Sequence, residues 1–358
     1  MTIDLVGWAL TAARAAHLAA LLSAFGVLVF WTLVAPPVLR LAEVEPRAGI
    51  ETAILKLFRS SLALALAMAI LWLGLQAIVL AEPETAADAV DALWPVLSDT
   101  HFGHILSLRV ALMVLALLAL GDGSASGRRR LGAVVTGLAL ILHAWATHAA
   151  AAQGIDRPIL LTVESLHLLA AGGWLGSLAP LFVIVGRLPA NQGALAARRF
   201  SPLGMVCAAT LAGTALIQGG FLIRSLSGLF GTDYGLVALA KLTMLVVLLG
   251  LAAANRFLHL PGLTGSTAPD AKRRLRRNIG LETTVGLAAV LAAAFLSSLP
   301  PAWHAQSASE INLPTLGEVE QSSQSEQDIS VSADNADDGD PVPRDRHANT
   351  GTDQCSGR

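Results

Sequence analysis

Charge is scarce in this chain. Only 14% of its 358 residues are Asp, Glu, Lys or Arg, while 54% are hydrophobic and the mean hydropathy is +0.61. Soluble globular chains carry about 25% charged and about 45–50% apolar residues. A soluble fold is therefore excluded, and the long Ala, Leu, Val and Gly runs point to a polytopic membrane protein. Cysteine is scarcer still. Cys207 and Cys355 are the only two and lie far apart, so neither a disulfide framework nor a Cys-x-x-Cys metal site can be built. With five methionines in all, of which only Met113 and Met244 fall at the depth of the buried histidines, a thioether relay for Cu(I) is not favoured. There is no phosphate-binding glycine loop, so nothing suggests nucleotide binding or ATP-driven pumping, and nothing points to nucleic acid. No basic segment precedes the first apolar run, which continues past Trp31 and predicts a retained helix rather than a cleaved signal.

What the chain does have is apolar length. A bilayer core of about 30 Å needs roughly 20 apolar residues in a helix. Eight spans are predicted, at roughly 8–35, 58–81, 102–121, 131–150, 159–186, 201–224, 236–257 and 279–299. Pro36-Pro37 stops the first. Ser201-Pro202 reads as a cap and first-turn proline for the sixth. Pro158 opens the fifth, and Pro180 predicts a kink in it. The odd-numbered loops hold 16 basic residues and the even-numbered ones 2. Positive loops stay in the cytoplasm, which predicts both termini outside. Trp8, Trp94, Tyr234 and Trp303 fall at the outer boundary as interfacial anchors. The expected fold is an all-α bundle of eight transmembrane helices over 1–300. Residues 301–358, with 11 acids against 3 basic residues, read as a disordered acidic tail outside the membrane.

Ionisable residues inside spans are costly and usually functional. Here they include Arg14 and His17, His101, His104 and Arg109, His143 and His148, Glu164 and His167, and Lys241. With the predicted orientation all of them fall in the outer half of the membrane. Glu164 and His167 are about 60° apart on a helix, and Trp174 nearly coincides in angle with His167. His143 and His148 are about 140° apart, so one of them is expected to be structural. Each histidine alone reads as a packing residue. Imidazoles from four spans at one depth instead suggest a shared metal or cofactor site. Imidazole suits copper, zinc, iron and nickel alike. Arg14, Arg109 and Lys241 would repel a bare cation unless turned away, snorkelling outward, or holding carboxylates such as haem propionates.

Seven segments carry a family resemblance: RAAHLAALLSAFGVLVF (14–30), SDTHFGHILSLRVAL (98–112), HAAAAQG (148–154), ESLHLLAAGGWLGSL (164–178), RFSPLGMV (199–206), GTDYGLVALAK (231–241) with AANRF (253–257), and ETTVGLAAVLAAAFLSSLPPAWH (282–304). In order and spacing, the stretch 8–303 resembles the CopD-type copper-resistance inner-membrane proteins. The resemblance implies a multi-pass plasma-membrane protein of copper uptake or homeostasis, beside a soluble extracytoplasmic CopC-type copper-binding partner. It carries over His17, His148 and His167, with Glu164 at the family's acidic position and Trp174 after it. The expected function is copper handling, without enzymatic activity, at an outer site of His17, His148 and His167, joined by His101 or His104. Glu164, Arg14, Arg109, Lys241 and Trp174 would assist as hydrogen-bonding, proton or anion partners. The alternatives are haem b held by the same histidines, and a purely structural membrane protein, which leaves the one-sided histidines unexplained.

Overall fold

The computed structural model describes residues 2–121, 125–263 and 268–302. Trp303, His304 and nearly all of the predicted tail lie outside the described residues, as do the side chains of His148 and Ala151. Among the described residues the regular structure is helical. Eight helices are long: α1 (Thr2–Leu33), α2 (Val44–Ala81), α3 (His101–Leu120), α4 (Ser126–His143), α5 (Asp156–Arg187), α6 (Ala190–Leu222), α7 (Asp233–Ala254) and α8 (Ala268–Leu296). Each overlaps one predicted span, but α2, α6 and α8 begin more than ten residues before it. Seven of them are long and apolar enough to cross a membrane. The eighth, α4, has only 18 residues and opens on Arg128-Arg129-Arg130. The predicted fourth span ran to 150, but after His143 the chain turns through a 3₁₀ turn and the short helix His148–Ala151.

Local signals held unevenly. Pro36 and Pro37 do close α1, because they open a separate short helix, Ala35–Leu39, where a missing N–H costs nothing. Ser201-Pro202 does not start the sixth helix. α6 begins at Ala190 and runs through Pro202, the arginine-bearing first turns extending the helix beyond its apolar part. Pro180 lies inside α5.

At one end of the bundle the basic loops meet. Arg187 donates to the Gly49 carbonyl at 2.8 Å, Lys272 to Leu188 at 2.8 Å, and Gln192 to Leu41 at 3.1 Å. Arg129 lies over the Trp31 ring and Arg276 over Phe182. The opposite end holds Trp8, stacked on Phe295 at 5.5 Å. Trp8 and Trp94 are exposed, as interfacial anchors are, but Tyr234 is buried at 4% exposure and is not one of them.

The centre is α1 against α5, both more than 60% buried along their most apolar stretch, whereas α7 is 6% buried and leaves its apolar side facing outward. Small residues allow the central contact. A Cβ on Gly26 would lie 2.2 Å from the Gly172 carbonyl oxygen, and one on Gly176 would lie 2.1 Å from that of Leu22. Ser177 adds a hydrogen bond to the Gly26 carbonyl at 3.0 Å. Close backbone approach at small residues is how helices associate where lipid offers no hydrophobic drive.

The contact is reciprocal, and it exposes an internal repeat. His17 and His167 are each followed nine residues later by one of these glycines, Gly26 and Gly176. α3 and α7 repeat too. Each is entered from a short helix, Leu93–Asp99 or Leu226–Gly231, and capped by a threonine, Thr100 or Thr232. Those hydroxyls accept from Gly103 and Gly235 at 3.0 Å. Both glycines are demanded by the preceding helix: an added Cβ would sit 2.3 Å or closer to its carbonyl oxygens. Six residues past each glycine stands a cation, Arg109 or Lys241. Helices α1–α4 and α5–α8 are thus two variations on one four-helix unit.

Candidate functional site

The expected single histidine site is divided between these halves. In the first, His17 of α1 is fully buried. Its Nδ1 lies 2.8 Å from the Ala65 carbonyl of α2, and its Nε2 lies 2.6 Å from an Arg109 guanidinium nitrogen on α3. A carbonyl only accepts and a guanidinium only donates. His17 is therefore the neutral Nδ1–H tautomer with its Nε2 lone pair taken by Arg109. In this arrangement both ring nitrogens are spent on protein groups. Arg14, half-buried, donates to Gln76 of α2 at 3.0 Å rather than snorkelling outward. Trp72 of α2 sits among them, with the Arg14 and Arg109 guanidinium carbons 5.6 and 5.7 Å from its ring centre. His143 closes the cluster, its ring 6.4 Å from that of His17. His143 is itself buried.

In the second half, Glu164 and His167 lie one turn apart on α5. His167 Nδ1 is 2.8 Å from the Thr214 hydroxyl oxygen of α6. That hydroxyl gives its own hydrogen to the Thr210 carbonyl at 2.7 Å, so it accepts from His167. The Nε2 lone pair of His167 therefore remains available, the arrangement of a metal-ligating histidine oriented by its other nitrogen. Glu164 accepts from Gln218 of α6 at 2.6 Å. Together with Thr147, Ala149, Tyr234 and Lys241, Glu164 lines a cavity of about 80 Å³, large enough for a few waters or a partly hydrated ion. Lys241 makes no ion pair there: the one salt bridge among the described residues joins Arg47 to Glu51. Thr147 and Ala149 flank His148 in sequence, and the His148 side chain lies outside the described residues.

The remaining candidates stand apart. His101 and His104 are exposed on the first turns of α3. His101 lies against Trp145, and the His104 ring bonds the Ser98 carbonyl at 2.5 Å, so neither joins the His17 cluster. Trp174 does not serve His167 either. Its indole N–H donates to Glu282 of α8, a carboxylate 2% exposed that also accepts from Asn255. Asn255 opens a stretch of π-helix, Asn255–His259, and Asn278 reaches the Leu251 carbonyl there at 3.2 Å. Nothing in the sequence connects Trp174 with Glu282 and Asn255. Sequence reasoning also missed Gln76, Trp72, Gln218 and Thr214, although a glutamine within an apolar span was signal enough. No three or more His, Cys, Asp or Glu side chains among the described residues are grouped to hold a metal. A larger groove of about 580 Å³, lined mainly by apolar residues of α2, α5 and α8, touches none of the candidates.

The fold and these buried polar clusters define a polytopic helical membrane protein with ionisable groups between its spans. The comparisons name the family. A sequence profile described as copper resistance protein D-like, N-terminal domain, matches residues 2–159, and that of copper resistance protein D matches 194–296. The chain belongs to the copper resistance protein D family. It is 30% identical over 165 residues to the copper transport protein CutJ of Bacillus subtilis, covering 45% of this chain and 29% of that one. It is 27% identical over 176 residues to copper resistance protein D of Pseudomonas syringae pv. tomato, covering 46% and 57%. The inner membrane protein YebZ of Escherichia coli is 28% identical over 175 residues, covering 47% and 59%. The matches thus span less than two thirds of each relative's length. No solved structure matches the chain.

Proposed function

We propose that this protein takes copper from the outer side of a bacterial plasma membrane and serves its import or homeostasis. The observation that carries the reading is His167: Thr214 holds its Nδ1–H, leaving the Nε2 lone pair unspent on a residue one helical turn from Glu164. Histidine and carboxylate together suit Cu²⁺, and His148, whose neighbours border the same cavity, supplies a third ligand. Two relatives carry copper transport or copper resistance in their names.

In this reading α4 is the eighth span, the basic end of the bundle faces the cytoplasm and both termini face outward. A soluble CopC-type protein delivers the metal to the Glu164 side. Haem is the weaker occupant, since His17 spends both ring nitrogens on protein groups and no relative's name speaks of haem. The test is copper accumulation in cells expressing the protein. Accumulation above vector controls that falls in His167→Ala supports the reading, and accumulation equal to controls refutes it.

A further inference from the structure

The internal repeat pairs the two polar clusters position by position. Arg14 and His17 of α1 match Glu164 and His167 of α5. Gln76 of α2, bonded to Arg14, matches Gln218 of α6, bonded to Glu164. Arg109 of α3 matches Lys241 of α7. The reciprocal glycine contact of Gly26 and Gly176 relates the halves. The first cluster is therefore built like the second, but its carboxylate position holds a guanidinium.

That exchange leaves a charge problem. Arg109 is 1% exposed and guanidinium groups do not deprotonate in proteins. Neither Arg14 nor Arg109 has a carboxylate within ion-pair distance, because the one such pair among the described residues is Arg47 with Glu51. Trp72 offers both arginines its ring face, which softens a positive charge without cancelling it. Hydrogen-bonding capacity is also left over. Arg14 Nε, Arg109 Nε, Trp72 Nε1 and His143 Nδ1 are all buried without a partner, and the rings of Trp72, His17 and His143 lie within 6.4 Å of one another. Buried polar groups are normally satisfied, and several orphans around one ring mark a missing ligand. Three of the four are obligate donors.

We infer that the Arg14, His17, Trp72, Arg109 and His143 cluster is a binding site for a small inorganic anion of chloride's class. It is the charge-inverted counterpart of the Glu164 and His167 site. A free ion fits better than a lipid phosphate, because Arg109, His17 and Trp72 are each 3% exposed or less. The inference stands on the first half alone and does not depend on copper at the second.

Equilibrium dialysis of the detergent-purified full chain against radiolabelled chloride tests it. The expected result is one saturable chloride per chain. Binding should be lost in Arg109→Met, weakened at least tenfold in Arg14→Gln, and unchanged in Arg129→Met at the far end. Should Arg109→Met fail to fold, Arg14→Gln and Trp72→Phe carry the comparison, each binding more weakly than wild type. Absence of saturable chloride binding in the wild type, or binding untouched by Arg14→Gln and Trp72→Phe, overturns the inference. So does binding of phosphatidylglycerol, but not chloride, in an Arg109-dependent manner, which would assign the cluster to a lipid phosphate.

Discussion

His17 and His167 show how little a residue's type says about its role. Both are imidazoles at matching positions of a repeated helix, and both turn Nδ1 toward the next helix in sequence. What differs is the other nitrogen. Arg109 occupies that of His17, while that of His167 is left open. Replacing His17 by alanine therefore strands a buried guanidinium donor and leaves the Ala65 carbonyl only its helical partner. Losing partners for buried polar groups costs about 1–3 kcal/mol each. His17→Ala is expected to lower the melting temperature of the purified protein while leaving its copper content intact. Loss of copper without loss of stability would place His17 among the ligands after all. The sequence made His17, Arg109, Glu164 and His167 conspicuous because ionisable groups are rare in spans. It could not show which nitrogen each histidine spends, since that depends on Ala65, Arg109 and Thr214, remote in sequence.

Among the elements, α1 and α5 set the geometry on which both clusters depend. Gly176 meets backbone, not a flexible side chain, so the neighbouring helix must move bodily to admit a methyl group. Overpacking a tight interface costs about 1–3 kcal/mol. Gly176→Ala should destabilise the protein by at least that much in thermal unfolding. Gly74→Ala, where nothing lies within 4 Å, should have no such effect. Equal melting temperatures would remove the α1–α5 contact from the account. The helices themselves are legible from apolar length. The repeat was legible as well, in Thr100-x-x-Gly103 and Thr232-x-x-Gly235, yet it went unread. Opposite charges at Arg14 and Glu164, set in similar Ala- and Leu-rich surroundings, hide the register until the contacts reveal it.

At the scale of the whole molecule, two polar centres stand where the sequence suggested one. The polar residues named from the sequence do not converge on one vestibule. They divide into a cationic cluster in the first half and a Glu–His pair beside a small cavity in the second. The buried Glu282, bonded by Trp174 and Asn255, is a further ionisable site between α5 and α8. On a Cys355→Ser background, the proposed orientation predicts that a cysteine at Asp88 reacts with an impermeant thiol reagent in intact cells, whereas one at Gln192 reacts only after lysis. Buried Cys207 should stay silent in both. The reverse pattern would move the Glu164 cavity to the cytoplasmic side.

The central claim is that Glu164 and His167 bind copper, and the metal content of the purified protein tests it most directly. After loading with Cu²⁺ and desalting, mass spectrometry should find one copper per wild-type chain, with most of it lost in His167→Ala and in Glu164→Gln and retained in His17→Ala. Copper retained in both His167→Ala and Glu164→Gln, or never bound by the wild type, would contradict the account.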